Sequence, residues 1–121
     1  MQYTGTMDPE VVDLCDALNE IPHIHTSSSC SGHGHDPLMI WFESTNPAWL
    51  FVLGRGLSRN YGGYGFRCVL EITDLPEKPV VWLLESLEVG EAAFQAATDL
   101  ADRLRYVMSR KDVLKLFRLE D

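Results

Sequence analysis

The first 54 residues contain no lysine or arginine, although the chain has ten of these residues in total. The first cations are Arg55, Arg59 and Arg67, and six more lie between Arg103 and Arg118. With eighteen acidic residues the net charge is −8, which disfavours nonspecific binding to nucleic acid because phosphates would be repelled. The charge is nevertheless segregated along the chain, so a local cationic site is compatible with this composition.

The sequence also lacks long apolar runs and the closely spaced, even number of cysteines that is typical of disulfide-bonded proteins. The longest apolar run covers only residues 48–53, so we expect no membrane association. The N-terminus has no basic segment followed by an apolar one, and we expect no secretion signal. Three widely spaced cysteines, Cys15, Cys30 and Cys68, indicate reduced thiols in a cytoplasmic protein. The length of 121 residues predicts a single domain, 1–121, with a real hydrophobic core.

Apolar spacing and turn residues predict elements in the order α-β-β-α-β-β-α. The predicted segments are a helix at 9–20, strands at 23–26 and 38–43, a helix at 48–57, strands at 67–73 and 79–85, and a long helical pattern from Gly90 to the C-terminus. Hairpin-like connections imply a two-layer α+β domain: a mostly antiparallel four-stranded sheet with helices on one face. The strand at 79–85 is apolar on both faces, which predicts a central position.

The segment Thr26–His35 collects hydroxyl groups, a thiol, two glycines and two imidazoles. It predicts a loop, because so many polar groups would lack partners in a core. Glycines and consecutive backbone N–H groups can form a cradle for phosphate or carboxylate, so we expect several N–H groups here to face a pocket. The ligand-binding residues predicted in this segment are Ser27, Ser28, Ser29, Cys30, Ser31, Gly32, His33 and His35.

The histidines suggest two further kinds of chemistry. All four fall within thirteen residues, at His23, His25, His33 and His35, with Cys30 among them. Imidazole and thiolate are good zinc ligands, so a metal-dependent enzyme is an alternative hypothesis. No known ligand spacing is present, and we therefore predict no metal ligands and no tightly bound structural zinc. A Cys30 nucleophile with His33 or His35 as base is also open.

The glycine-rich stretch 54–67 contains the first three arginines and Tyr61. Arginines make bidentate contacts to phosphate, and a tyrosine ring offers a stacking face for a base. We therefore predict a small anionic, nucleotide-like ligand, held jointly by the serine segment and by one or more of Arg55, Arg59 and Arg67, with Tyr61 beside them.

The pentapeptide Ser28-Ser29-Cys30-Ser31-Gly32, after a helix and a short strand, resembles the signature of the wybutosine-synthesis tRNA methyltransferase family. The resemblance covers roughly residues 8–34 and implies a related α/β scaffold, S-adenosylmethionine as cofactor and a modified guanosine of tRNA as substrate. His33 stands where that family has arginine. The family's later Trp-x-Phe-Val segment has a loose counterpart at 49–52, without the histidine and aspartate that follow it in the family.

The leading hypothesis is a small cytoplasmic domain that binds the anionic ligand without clear catalytic machinery, as a binder or sequestering protein of a kind common in phage genomes. The alternatives are a methyltransferase-like enzyme of RNA modification and a metal-dependent enzyme. A tRNA partner is disfavoured by the net charge. Three tryptophans in so small a domain, Trp41, Trp49 and Trp82, predict an exposed apolar patch and a homo-oligomer, most simply a homodimer.

Overall fold

The computed structural model describes residues 8–58 and 65–119. In these ranges the helices and strands follow the predicted order, and the C-terminal helical pattern divides in two at Arg110. The elements are α1 (Pro9–Asn19), β1 (Ile24–Cys30), β2 (Pro37–Ser44), α2 (Leu50–Gly56), β3 (Phe66–Ile72), β4 (Val80–Val89), α3 (Glu91–Ser109) and α4 (Lys111–Leu116). A single 3-10 turn, Pro47–Trp49, leads into α2.

The four strands form one antiparallel sheet in the order β1-β2-β4-β3. Helices α1 and α3 pack together and cover one face of this sheet. The prediction of a two-layer α+β domain is thereby confirmed, and β4 is central as its apolar sequence indicated. None of the described helices is both long and apolar enough to span a bilayer.

The core lies between the helices and the covered face of the sheet. Alternate residues of β2, Leu38, Ile40 and Phe42, are fully buried, as strand geometry requires of a half-covered sheet. The helical side contributes large apolar residues from α1 and small ones from α3. The small ones are Ala93, Ala97 and Ala101, which let α3 approach closely.

The first half of the segment predicted as a ten-residue loop, residues 26–30, is strand, which corrects the sequence interpretation. Ser28, Ser29 and Cys30 pair with residues of β2, and a bulge lies between Thr26 and Ser28. Because β1 is an edge strand, the hydroxyl groups of Ser27 and Ser28 reach water while its backbone bonds to β2, so a polar run does not need to be a loop. The true connection is the short segment 31–36.

The tryptophans do not form one exposed patch. Trp49 is buried in the core, whereas Trp41 and Trp82 are half-buried. One group of exposed apolar side chains lies near the β3–β4 turn, where Ile72 is 87% exposed and Val80 is 49% exposed, and another lies at the end of α4, with Leu116 and Phe117. The homo-oligomer stays a prediction, and this hairpin is the surface on which it would rest.

Candidate functional site

The turn after β1 is left-handed at three successive residues. Gly32 has φ +81°, His33 φ +53° and Gly34 φ +92°. A Cβ atom on Gly32 would lie 2.8 Å from the Pro37 carbonyl oxygen, so only glycine fits there. The reversal brings the His33 side chain back over the preceding strand end, with Nε2 3.8 Å from Cys30 Sγ.

The backbone N–H groups of this turn donate to the protein's own side chains. Ser31 N–H donates to Asp8 Oδ2 at 3.0 Å, and Gly32 N–H donates to Cys30 Sγ at 3.5 Å. His33 N–H donates to Ser31 Oγ at 3.1 Å. The expectation that these groups face a pocket is therefore wrong, because the Asp8 carboxylate already accepts where an anionic ligand was predicted. Hydrogen bonds from Ser31 also lower the pKa of Asp8.

The predicted serines have separate surroundings. Ser27 lies at the bulge and donates from Oγ to the Trp41 carbonyl oxygen at 3.2 Å. Ser28 is exposed, and Ser29 is half-buried with its hydroxyl against Cys15.

The four histidines do not form one cluster. His23 contacts Thr45 Oγ1 through Nδ1 at 3.2 Å, and His25 is exposed on β1. His35 is paired with Asp36, 3.6 Å from Nδ1 to Oδ2. Five residues of strand separate His25 from Cys30, which is about 16 Å at 3.3 Å per residue. Only His33 lies beside Cys30.

The predicted arginines are also dispersed. Arg67 on β3 donates from Nε to Glu85 Oε1 of β4 at 2.7 Å, so its charge is neutralised locally. Arg59 and Tyr61 lie outside the described residues. Arg55 lies in the last turn of α2, with its guanidinium 5.6 Å from the centroid of the Phe51 ring.

Arg55 borders a cavity of about 390 Å³ where α2, the second half of α3 and the start of α4 meet. We call it the arginine cavity. Its lining residues are Arg55, Arg103, Tyr106, Val107, Arg110 and Val113. Three guanidinium groups thus surround one concave surface of a chain whose net charge is −8.

Close packing of α2 on α3 builds the arginine cavity. A Cβ atom on Gly56 would lie 2.8 Å from Leu104 Cδ2 of α3, so the glycine permits this approach. Arg103 donates from Nε to the Gly56 carbonyl oxygen at 3.0 Å and so caps the end of α2. The two contacts fix Arg103 beside Arg55.

The cations of the arginine cavity differ in how they are satisfied. Arg110 donates to both carboxylate oxygens of Asp112, at 3.1 and 3.0 Å, and to Tyr106 Oη at 3.0 Å. Asp112 and Tyr106 accordingly keep the pKa of Arg110 above its usual value. In contrast, Nη2 of Arg103 is buried and has no hydrogen-bond partner among the described residues. That nitrogen is the least satisfied donor at the cavity.

Sequence reasoning missed Arg103, Tyr106 and Arg110. Their signal is helical spacing, because residues three, four and seven apart lie on one face of a helix. The position of Arg55 against this face depends on how α2 packs on α3, and no local sequence pattern predicts that packing.

The arginine cavity and the serine segment lie at different ends of α3. Gly90, just before α3, approaches the turn, since a Cβ atom there would lie 3.3 Å from the Gly34 carbonyl oxygen. Arg103 follows Gly90 by thirteen residues, which is about 20 Å along a helix. This separation argues against one small ligand touching both Arg55 and the serine segment, and joint binding by the serine segment and one or more of Arg55, Arg59 and Arg67 stays a prediction.

Comparison with known proteins adds no relative: no protein-family model, no curated protein and no solved structure matches this chain. The resemblance to the wybutosine-synthesis methyltransferases stays a prediction from the pentapeptide.

Proposed function

We propose that the chain binds a small anionic, phosphate-bearing ligand of nucleotide size in the arginine cavity. The observation that carries this proposal is the convergence of Arg55, Arg103 and Arg110 on one concave surface of a strongly acidic protein. The chemical class of ligand expected from the sequence is kept, and its site is moved from the serine segment to α2 and α3.

The charges at the arginine cavity favour an anion. Three guanidinium groups repel one another, and Asp112 is bonded directly to Arg110. A buried donor without a partner costs roughly 1–3 kcal/mol, so Arg103 would gain if its guanidinium group turned into the cavity and Nη2 donated to a ligand oxygen. The planar fork of a guanidinium group fits two oxygens of one phosphate.

The volume of the arginine cavity and its uncharged lining residues favour a ligand of nucleotide size. A volume of about 390 Å³ lies within the usual range for small-molecule sites, roughly 300–1,000 Å³. Val107 and Val113 give the cavity an apolar wall, and the Tyr106 ring is 57% exposed. An aromatic base has a stacking surface there while its phosphate meets the arginines.

Titration calorimetry with 5′-AMP, adenosine and inorganic pyrophosphate tests the proposal. We expect AMP and pyrophosphate to bind more tightly than adenosine. Arg103→Ala and Arg55→Ala should each cost about 1.5–3 kcal/mol of AMP affinity, the scale of a hydrogen bond to a charged group. Arg67→Ala is the matched control, because Arg67 is paired with Glu85 on the sheet. Equal binding of AMP and adenosine, or an effect of Arg67→Ala alone, would contradict the proposal.

A protein with this site would act as a cytoplasmic binder or sequestering protein. The proposal also includes a phage origin and a homodimer. Support for the homodimer is limited to the exposed apolar side chains near the β3–β4 turn. Light scattering over a wide concentration range would test it, and the mass of one chain throughout would contradict it.

A further inference from the structure

The turn after β1 brings together three side chains of different metal-ligand types. Asp8, Cys30 and His33 each offer one ligand atom, and these three atoms all lie within 4.8 Å of one another. Asp8 is separated from Cys30 by 22 positions, so the sequence spacing on which the expectation of no metal ligands rested could not reveal the group. We propose that this cluster binds a zinc ion through the Cys30 thiolate, a His33 ring nitrogen and the Asp8 carboxylate.

The distances suit zinc. A tetrahedral zinc ion with ordinary bonds to sulfur, nitrogen and oxygen holds its ligand atoms about 3.4–3.6 Å apart. Cys30 Sγ lies 3.8 Å from His33 Nε2, and Asp8 Oδ2 lies 4.0 Å from the other ring nitrogen, Nδ1. One ring nitrogen, the sulfur and a carboxylate oxygen lie within 4.8 Å of one another, so the three ligand atoms must draw together by about an ångström to bind one ion. The His33 side chain is 65% exposed, so a small rotation of its ring aims one nitrogen at the ion. Three protein ligands leave a fourth position for water or a further ligand.

The backbone around the cluster holds the ligands in place. Asp8 is the N-cap residue of α1, yet its side chain makes no capping hydrogen bond and instead accepts Ser31 N–H. Cys30 Sγ accepts the N–H of Gly32, as a thiolate ligand would. His33 adopts a left-handed backbone conformation that side-chain residues rarely take. These features direct all three ligands toward one point.

The arrangement favours a metal site over a thiol nucleophile activated by a His–Asp pair. In such a relay the thiol and the carboxylate stand on opposite sides of the imidazole ring. Here the sulfur and the carboxylate oxygen are themselves within 4.8 Å of each other, so the three groups converge instead of forming a line. Thiolate, imidazole and carboxylate are each ligand types that zinc binds.

Cobalt substitution tests the site in the full chain. Protein stripped with a chelator is titrated with Co²⁺ and then with Zn²⁺. We expect one Co²⁺ per chain with a thiolate-to-cobalt charge-transfer band, and loss of the band as Zn²⁺ displaces Co²⁺. Cys30→Ser should abolish the band. His33→Asn, which tolerates the left-handed backbone, and Asp8→Asn should each weaken Zn²⁺ binding at least about 100-fold, beyond the usual effect of losing an outer-shell partner.

Matched controls come from the same residue types elsewhere in the structure. Cys68→Ser and His35→Asn should leave Co²⁺ and Zn²⁺ binding unchanged. If Cys30→Ser does not fold, alkylation of the wild-type protein tests whether Cys30 binds the metal. Zn²⁺ should slow modification of Cys30 at least tenfold and leave the modification rate of Cys68 unchanged. Absence of a thiolate–cobalt band in folded wild-type protein, or Cys30 alkylation that Zn²⁺ does not slow, would overturn the proposal.

Discussion

The two ends of α3 bring polar and charged side chains together in different ways. Near its start, the turn after β1 is tied together by short-range hydrogen bonds among residues 30–33, with Asp8 the one distant member. In its second half, α3 forms the arginine cavity with α2 and α4. The first region already satisfies its own donors, whereas the second leaves a buried guanidinium nitrogen without a partner among the described residues. A conspicuous sequence motif can therefore have its polar groups already satisfied within the protein.

Substitutions at three glycines should give the largest effects, because they test how tightly each of the two regions is packed. Gly32→Ala places Cβ against the Pro37 carbonyl group at a positive φ, and should cost about 2–5 kcal/mol of unfolding free energy from strain and overpacking. Gly56→Ala meets the side chains of Leu104 and Leu100, at 2.8 and 3.2 Å, and no backbone atom, and should cost about 1–3 kcal/mol, the range for overpacking. Gly54→Ala, in α2 with open space around it, should stabilise by roughly 0.5–1 kcal/mol. Urea unfolding gives all three values.

A result in which Gly56→Ala destabilises the chain more than Gly32→Ala would contradict the account of the rigid turn. It would show that the approach of α2 to α3 is the tighter constraint.

Thiol reactivity tests the surroundings of Cys30 at the turn after β1 against those of the two other cysteines. Burial raises the pKa of Cys15 and of Cys68 to about 11 from 9.0, so at neutral pH each should have about 100-fold less thiolate than an ordinary cysteine. We expect iodoacetamide to modify Cys30 first in metal-free protein near pH 7.5. The rates at the other two should rise as the pH approaches 11. Peptide mass mapping over time measures each site, and equal rates at Cys30 and Cys68 would contradict this order.

The pH dependence of stability follows from the same two thiols. Their folded-state pKa values lie above the unfolded value, so the neutral thiols contribute fully below about pH 9. That contribution should be lost as the pH rises from about 9 to 11, because the unfolded chain then releases its protons more readily. Cys68→Ala should flatten the fall in unfolding free energy over this interval, and an unchanged slope would count against the buried-thiol explanation.

A smaller effect concerns the charge balance of the arginine cavity. Asp112 binds Arg110 and competes with any incoming anion. Asp112→Asn should raise AMP affinity by about threefold, within the modest range for an exposed ion pair, roughly 0.2–1 kcal/mol. Asp74→Asn, on the distant β3–β4 turn, is the control. Weaker AMP binding by Asp112→Asn would show that the carboxylate supports the site instead of competing with it.

Much of the fold could be predicted because its signals are local. Asp8-Pro9 marks the start of α1, and alternation in 67–73 marks β3. The end of β1 could not be predicted in this way, because serines on an edge strand have the same composition as serines in a loop. Of the candidate site, only Arg55 could be named from the sequence. Arg103 and Arg110 join it through the packing of α2 on α3, which depends on Gly56 and Leu104.

A crystal structure of the protein soaked with inorganic pyrophosphate tests the central claim most directly. We predict that pyrophosphate lies in the arginine cavity, with an oxygen within hydrogen-bond distance of Arg103 Nη2 and a second contact from Arg55. Pyrophosphate held by the backbone of residues 31–35, with the arginine cavity empty, would contradict the account and return the anion site to the serine segment.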